Sequence, residues 1–308
     1  MGLLDGLMVK AVTNDFLQRL NQVVDWNAIE KALHAMYPAT TGRPPCPPLV
    51  LFKMSFLQHA YGLSDPQCQE LVDDRRSWRR FVGLGHQDTV PDETTLVRFR
   101  QRLRQYGLHE KLLPLVNRQL EQKGLILKTG TLVDATLLQA ARRAPAKGDK
   151  NGGDPDAAHT VKQNQPHYGY KAHIAVDQAQ TLIRAVTLTS ANVHDSQEFE
   201  TVVKGDEKII LADKAYWSRH RSQWCDKHKV LNGILEKPAR GQKLSSAMQK
   251  INNIFSSVRC RIETVFGWWK RSAGYRRVRY VGKEANRLEL EFKSLSWNLK
   301  RLVTLSLP

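Results

Sequence analysis

No run of apolar residues approaches the eighteen or so that a membrane-spanning helix requires, so the sequence excludes a transmembrane helix. Cysteine is scarce. Cys46, Cys68, Cys225 and Cys260 stand far apart, which suits reduced cytosolic thiols rather than a disulfide framework or a zinc ribbon. Cys225 and His228 have the spacing of half a metal site, and no second half accompanies them. The opening residues carry no basic leader ahead of a long apolar stretch, so no secretory signal is expected. Gly6 stands where a myristoylation signal needs Ser or Thr. Acidic residues are the last shortage: 30 Asp and Glu face 47 Lys and Arg over 308 residues, a net charge of +17. Such a surplus costs self-repulsion in the compact state and favours an anionic partner, nucleic acid or an acidic membrane. No amphipathic anchor supports the membrane alternative.

An apolar content of 41% suits a folded chain. The first third reads as helical, with Phe16, Leu20, Val23 and Val24, then Ile29, Leu33 and Met36, at helical spacing. A breaker-rich stretch from Pro38 to Pro48 interrupts it. Ser64 with Gln67 reads as a capping box, and Pro91-Asp92 opens a helix carrying Leu96, Phe99 and Leu103 with Arg98, Arg100, Arg102 and Arg104 interleaved. Short helices studded with arginine suit a helix-turn-helix DNA-binding module, and equally a bundle with a solvated basic face. The boundary of this all-α region, residues 1–123, falls near Lys123-Gly124.

From 124 to 308 the pattern predicts an α/β domain, a mixed sheet flanked by helices. A strand over Thr131–Leu138 precedes a hairpin of Tyr168–Val176 and Thr181–Thr189, and strands over Lys208–Asp213 and Val230–Glu236 alternate with helices. A long helix is expected from Ser246 to about Arg271. The last helix carries a near-heptad stripe of Leu288, Phe292, Leu295, Leu299 and Leu302 that must be buried. Between first strand and hairpin, residues 144–166 have the composition of a flexible loop.

Two aspartates stand out. Asp134 lies within Leu132-Val133-Asp134-Ala135, and Asp213 closes Ile209-Ile210-Leu211-Ala212. An ionised carboxylate in or beside a buried strand is costly unless it is paired or binds a cation. Ligands of open α/β sheets gather at the carboxyl ends of strands, so two such residues on neighbouring strands would make a hard-cation site. Each alone is as well explained by a strand-end cap. Glu263 is a third acid, bracketed by Arg259 and Lys270 on a helical stripe beside the apolar one of Val258, Ile262, Val265, Phe266 and Trp269. A surface ion-pair ladder has the same spacing.

Together with their order, Asp134, Asp213 and Glu263 resemble the DDE triad of bacterial insertion-sequence transposases. Arg259-Cys260-Arg261-Ile262-Glu263 followed by Lys270 is similar to the Tyr-Arg-Glu-Lys signature of the insertion-sequence 4 and 5 groups, with Ser256 at the Tyr position. The runs Val133-Asp134-Ala135-Thr136, Tyr168 to His173, Ala191 to Asp195 and Ala212 to Tyr216 match as well, Ala215 standing where Gly is usual. Upstream, Gly62 to Asp65, Phe81 to Leu84 and Val90 to Leu96 resemble the helical N-terminal domain of the insertion-sequence 5 (insertion-sequence 4-like) group. Between Glu236 and Ser246 there is little room for the β insert of insertion-sequence 4 relatives.

The resemblance implies a ribonuclease H-like fold and two Mg²⁺ ions, with Mn²⁺ as the alternative, held by Asp134, Asp213 and Glu263. It implies a metal-dependent DNA transposase that cleaves transposon ends to expose a 3′-OH and joins them to target DNA. Its partners would be double-stranded DNA, as terminal inverted repeats and target, and a second copy of the chain in a dimer or larger synaptic complex. Its place would be the bacterial cytoplasm, at the nucleoid. Arg259, Lys270, Arg271, Arg276, Arg277, Arg279 and Lys283, with Arg98 and Arg102 upstream, are expected to hold DNA. His194 and Asp195 either shape the site floor or stabilise a turn. Trp217 either stacks on a base or packs in the core, and Trp268 and Trp269 are expected in the core. Two alternatives stay open: a chain that only binds DNA, and a nuclease that cuts without joining.

Overall fold

The computed structural model describes residues 15–37, 46–146, 152–238 and 242–306. Helices α1 (Asp15–Val23), α2 (Trp26–His34), α3 (Pro48–Tyr61), α4 (Asp65–Asp74), α5 (Arg76–Val82), α6 (Glu93–Gln105) and α7 (His109–Gln122) come first. Pro48 starts α3 where a missing N–H costs nothing, and Gly62 at φ 69° closes it in the left-handed region that favours glycine. The Ser64–Gln67 capping box opens α4, and Asp92 caps α6 by accepting from the Thr95 N–H at 2.7 Å.

Two residues along a helix is a turn of about 200°. The alternating arginines of α6 therefore do not share a face. Arg98 and Arg102 are exposed, while Arg100 is buried in a bidentate pair with Asp65, both contacts 2.7 Å. Arg79 is likewise structural, donating to Asp73 and to the Gly85 and Asp88 carbonyls.

The second region holds β1 (Thr131–Gln139), β2 (Ala158–Lys162), β3 (Gln165–Asp177), β4 (Ile183–Ser190), α8 (Phe199–Val202), β5 (Ile209–Ala212), α9 (Arg219–His228), β6 (Leu231–Ile234), α10 (Ser246–Arg259), α11 (Glu263–Arg271) and α12 (Lys283–Leu305). β3 pairs antiparallel with β1 on one edge and β4 on the other, and β1, β5 and β6 run parallel. Four antiparallel strands, β1 to β4, followed by two parallel ones, with helices on both faces, make the expected ribonuclease H-like mixed sheet. Leu132, Ile174 and Leu211 bury one face beneath α11 and α12; Val133, Ala175, Ile210 and Ala212 bury the other with Phe199 and Tyr216.

The structure corrects two expectations. Of the loop placed at 144–166, Ala158–Lys162 and Gln165–Gly169 instead form a hairpin. Residues 152–157 are pinned: the buried Asp154 carboxylate accepts from the Tyr170 hydroxyl and the Gly282 N–H, while Asp156 accepts from the Lys283 N–H. Residues 147–151 of that loop lie outside the described residues. The long helix from Ser246 tightens into a 3₁₀ turn at Cys260–Ile262, so α11 begins at Glu263 itself.

The stripe on α12 finds its burial partly in the first region. Leu288, Phe292, Leu295, Leu299 and Leu302 pack with Phe52, Phe56 and Leu120, while Leu290 and Trp297 face the sheet core. α12 is buried nearly all round, and its polar groups are tied accordingly. Asn298 accepts from the Ile183 N–H and donates to the Ile183 carbonyl and to Asn117, satisfying the edge of β4. The Lys293 ammonium donates to the His59 and Ala273 carbonyls. Among the described residues no helix is long and apolar enough to cross a membrane.

Candidate active site and nucleic-acid interface

Parallel pairing of β1 with β5 sets the acids side by side. Thr131, Leu132 and Val133 pair with Ile210, Leu211 and Ala212, and the next residue on each strand is Asp134 or Asp213. Alternation puts Asp134 on the face of Leu132 and Asp213 on the face of Leu211, the face that Ile262 and Val265 cover. Glu263, between those two, is exposed at the first turn of α11 and borders the same face.

Asp134 is the most constrained of the three. One carboxylate oxygen accepts from the Ala135 N–H at 2.8 Å and the other from the Arg259 guanidinium at 2.6 Å. Burial pushes its carboxyl above the ordinary range; Arg259 and the Ala135 N–H oppose that, and the charges of Glu263 and Asp213 add to it. One oxygen of Asp213 accepts from the Lys214 N–H, which holds the turn after β5.

Among the described residues no three His, Cys, Asp or Glu side chains are gathered into a ready coordination shell. The donor set nonetheless suits a hard divalent ion. It is all carboxylate, and Asp134, raised first by burial, also feels the charges of Glu263 and Asp213.

Below the sheet, Lys171 pairs with Asp195 at 2.7 Å and donates to the Val193 carbonyl. The His194 ring accepts from the Ser196 N–H, so His194 caps a turn. His173 is buried against Thr189, and burial lowers its imidazole to about 4, which keeps it neutral. Burial raises the Tyr216 hydroxyl, and Asp195, Asp134 and Asp213 raise it further. Trp217 is 44% exposed, whereas Trp268 and Trp269 pack in the core against Trp297 and Tyr275.

The basic residues separate into three kinds. Arg259 sits in the site but is engaged by Asp134. Lys270, Arg271, Arg276, Arg277 and Lys283 have no carboxylate within ion-pair distance among the described residues, and all but the half-buried Lys270 are exposed. Backbone bonds from Gln139 to Arg276 and from Val278 to Gln139 lay this segment along the end of β1. Arg279 differs from its expectation: its guanidinium turns to the buried Glu289, whose carboxylate also accepts the Arg279 N–H at 2.8 Å. On α6, Thr94, Val97, Arg98, Gln101, Arg102 and Gln105 form one exposed face. Arg102 also lies over the Tyr37 ring.

Sequence reasoning missed Lys162. It stands near Lys270, whose ammonium is lowered by burial first, then by Lys162 and Arg276, against an opposing pull from Glu263. A lysine in a polar stretch without apolar alternation carries no signal of a strand or a site.

Two family models match the chain, a "Transposase domain (DUF772)" over residues 8–102 and a "Transposase DDE domain" over residues 126–299. Among solved structures, a cryo-EM structure of the piggyBac transposase synaptic complex with hairpin DNA aligns at a TM-score of 0.43 and 10% identity. That alignment covers 94% of this chain and 79% of the other. A pre-cleavage Mos1 transpososome aligns at 0.20 and 9%, covering 94% and 97%. Neither likeness is strong enough to carry an argument. With its two in-register aspartates and the glutamate of α11 inside a match that spans more than half its length, the chain belongs to the transposase DDE domain family.

Proposed function

We propose that the protein is a DNA transposase of the insertion-sequence 5 (insertion-sequence 4-like) group. It binds terminal inverted repeats, cleaves a phosphodiester to free a 3′-OH and joins that end to target DNA. The observation that carries this reading is the register of β1 and β5, which sets Asp134 beside Asp213 on the face bordered by Glu263. These three residues would hold two Mg²⁺ ions, or Mn²⁺ in their place. Divalent ions there activate an oxygen nucleophile and offset charge on the leaving oxygen.

The chain's own groups do the rest. Lys270 and Arg276 hold phosphates beside the acids, the ammonium as a point charge and the guanidinium as a fork. The Ala135 N–H and Arg259 fix the Asp134 carboxylate in the free protein. The outer face of α6 reads the repeats: its arginines and glutamines suit guanine and adenine edges, and Val97 a thymine methyl, in the major groove. Two ends must meet, so the working form is a dimer or larger synaptic complex, acting on nucleoid DNA in a bacterial cytoplasm.

The test is strand transfer on DNA bearing the element's own ends. Glu263 is exposed, so Glu263→Gln should fold normally and lose at least about a hundredfold in Mg²⁺-dependent cleavage and joining, the scale of losing one transition-state contact. Full activity in that variant sinks the assignment of the triad. Cleavage of arbitrary DNA without joining would instead make the protein a nuclease.

A further inference from the structure

A groove of about 430 Å³ lies between the end of β1, the β2–β3 hairpin and the last turn of α11. Thr136 belongs to its floor, Lys162, Gln163 and Gln165 to the hairpin side, and Lys270 and Arg276 to the other. We propose that the β2–β3 hairpin is a DNA-gripping arm, whose tip from Lys162 to Gln165 holds the backbone of the strand leading into the acidic site. The proposal rests on the transposase reading and adds to it an element and a set of contacts.

Continuity with the acids is the first argument. Asp134, Thr136 and Leu138 share one face of β1, and Glu263 and Lys270 are two helical turns apart on α11, about 10.5 Å. The groove therefore starts beside the acids, with Thr136 two residues along β1 from Asp134. The rise from Glu263 to Lys270 corresponds to about three nucleotide steps at about 3.4 Å each.

Charge is the second. Among the described residues no carboxylate pairs with Lys162, Lys270 or Arg276, yet all three line one groove. Like charges held together in a half-buried trough repel until an anion enters. A polyanion running along the trough answers all three at once, where a single small anion would not. The lowered ammonium of Lys270, with Lys162 among its causes, agrees with that crowding.

The tip is the third. Residues 161–166 are all exposed, Val161 at 70%. Gln163 and Asn164 both have positive φ, 52° and 60°, in a two-residue turn of the kind that usually takes Asn-Gly. Here a left-handed position that glycine would fill more easily displays a second amide. Each amide both donates and accepts, which suits phosphate oxygens and base edges alike.

The experiment compares the unaltered protein with Lys162→Ala, Lys162→Arg and Gln163→Ala, measuring affinity for end DNA against salt and hydroxyl-radical protection of that DNA. Lys162→Ala should lower the salt slope by about 0.7–0.9, one phosphate contact, and remove protection over about three nucleotides beside the cleavage point. Lys162→Arg should restore both. Gln163→Ala should keep the slope and weaken binding severalfold. An unchanged slope and footprint in Lys162→Ala, with the unaltered protein binding and joining ends, overturns the arm alone. Failure of the unaltered protein to bind end DNA overturns the transposase reading with it.

Discussion

Replacing Arg259 by Met removes the guanidinium paired with Asp134 while keeping a side chain of similar length. The ion pair is 2.6 Å long and its partners are 19% and 17% exposed, between a surface pair and a fully buried one. Surface pairs contribute about 0–1 kcal/mol, and breaking a buried pair costs about 3–5 kcal/mol. Arg259→Met should therefore destabilise by about 2 kcal/mol, or roughly 4–8 °C in Tm at about 2–4 °C per kcal/mol. The Asp134 carboxyl is already raised by burial, and losing the guanidinium raises it further. A raised folded value means that stability is greatest when the group is protonated and falls as pH rises through the carboxylate range. The gap between variant and parent should thus open with rising pH. Asp134→Asn removes the stranded charge, so Asp134→Asn/Arg259→Met should recover about 1–2 kcal/mol relative to Arg259→Met alone. Mg²⁺ should stabilise Arg259→Met more than the parent, because the ion no longer competes with the guanidinium. The assay is thermal and urea unfolding of the four proteins with and without Mg²⁺. Equal destabilisation by Arg259→Met in the Asp134→Asn background, or equal Mg²⁺ stabilisation of Asp134→Asn and the parent, refutes the reasoning.

Arg98→Ala should cost about 1–3 kcal/mol on cognate end DNA and relax discrimination at one base position, as read by competition against single-base variants. Phe292→Ala, in the core that α12 shares with α3, should destabilise by about 3–5 kcal/mol and lower helical and sheet signals in one transition. Burial holds the Glu291 carboxyl at about 8, opposed by Arg287. Its penalty therefore builds as pH rises from the ordinary carboxylate value to about 8. Glu291→Gln should gain stability over the parent across that window and hold a constant advantage above it, measured by urea unfolding at several pH values.

The placement of Asp134 and Asp213 on neighbouring strands was legible because burial and charge disagree in the sequence there. An Asp directly after apolar strand residues is costly unless it is used, and two such residues, Asp134 within one strand and Asp213 after another, can be matched without a structure. The edge-of-stripe position of Glu263 was legible from helical spacing, but the 3₁₀ turn before it was not, since Cys260–Ile262 continue the same pattern. The hairpin at 158–169 was hidden because its tip is exposed on both faces and has no apolar alternation. A turn of Gln163-Asn164 also lacks the glycine that announces a hairpin. Arg279 was misjudged because its partner, Glu289, is buried on a helix ten residues away, and sequence does not show which way a guanidinium turns. The stripe on α12 was visible, but not its destination, because burial by a segment more than two hundred residues earlier leaves no local trace.

That destination governs the order in which the protein can be made. The helices up to Gln122 leave ribosomes some 160 residues before Lys283, which at about 5–20 residues per second is roughly 8–32 s. Throughout that interval Phe52, Phe56 and Leu120 lack the helix that covers them. The first helical region is thus completed by the last helix translated, after the three acids have been made. A chain halted before α12 carries α6 on a core that is still open.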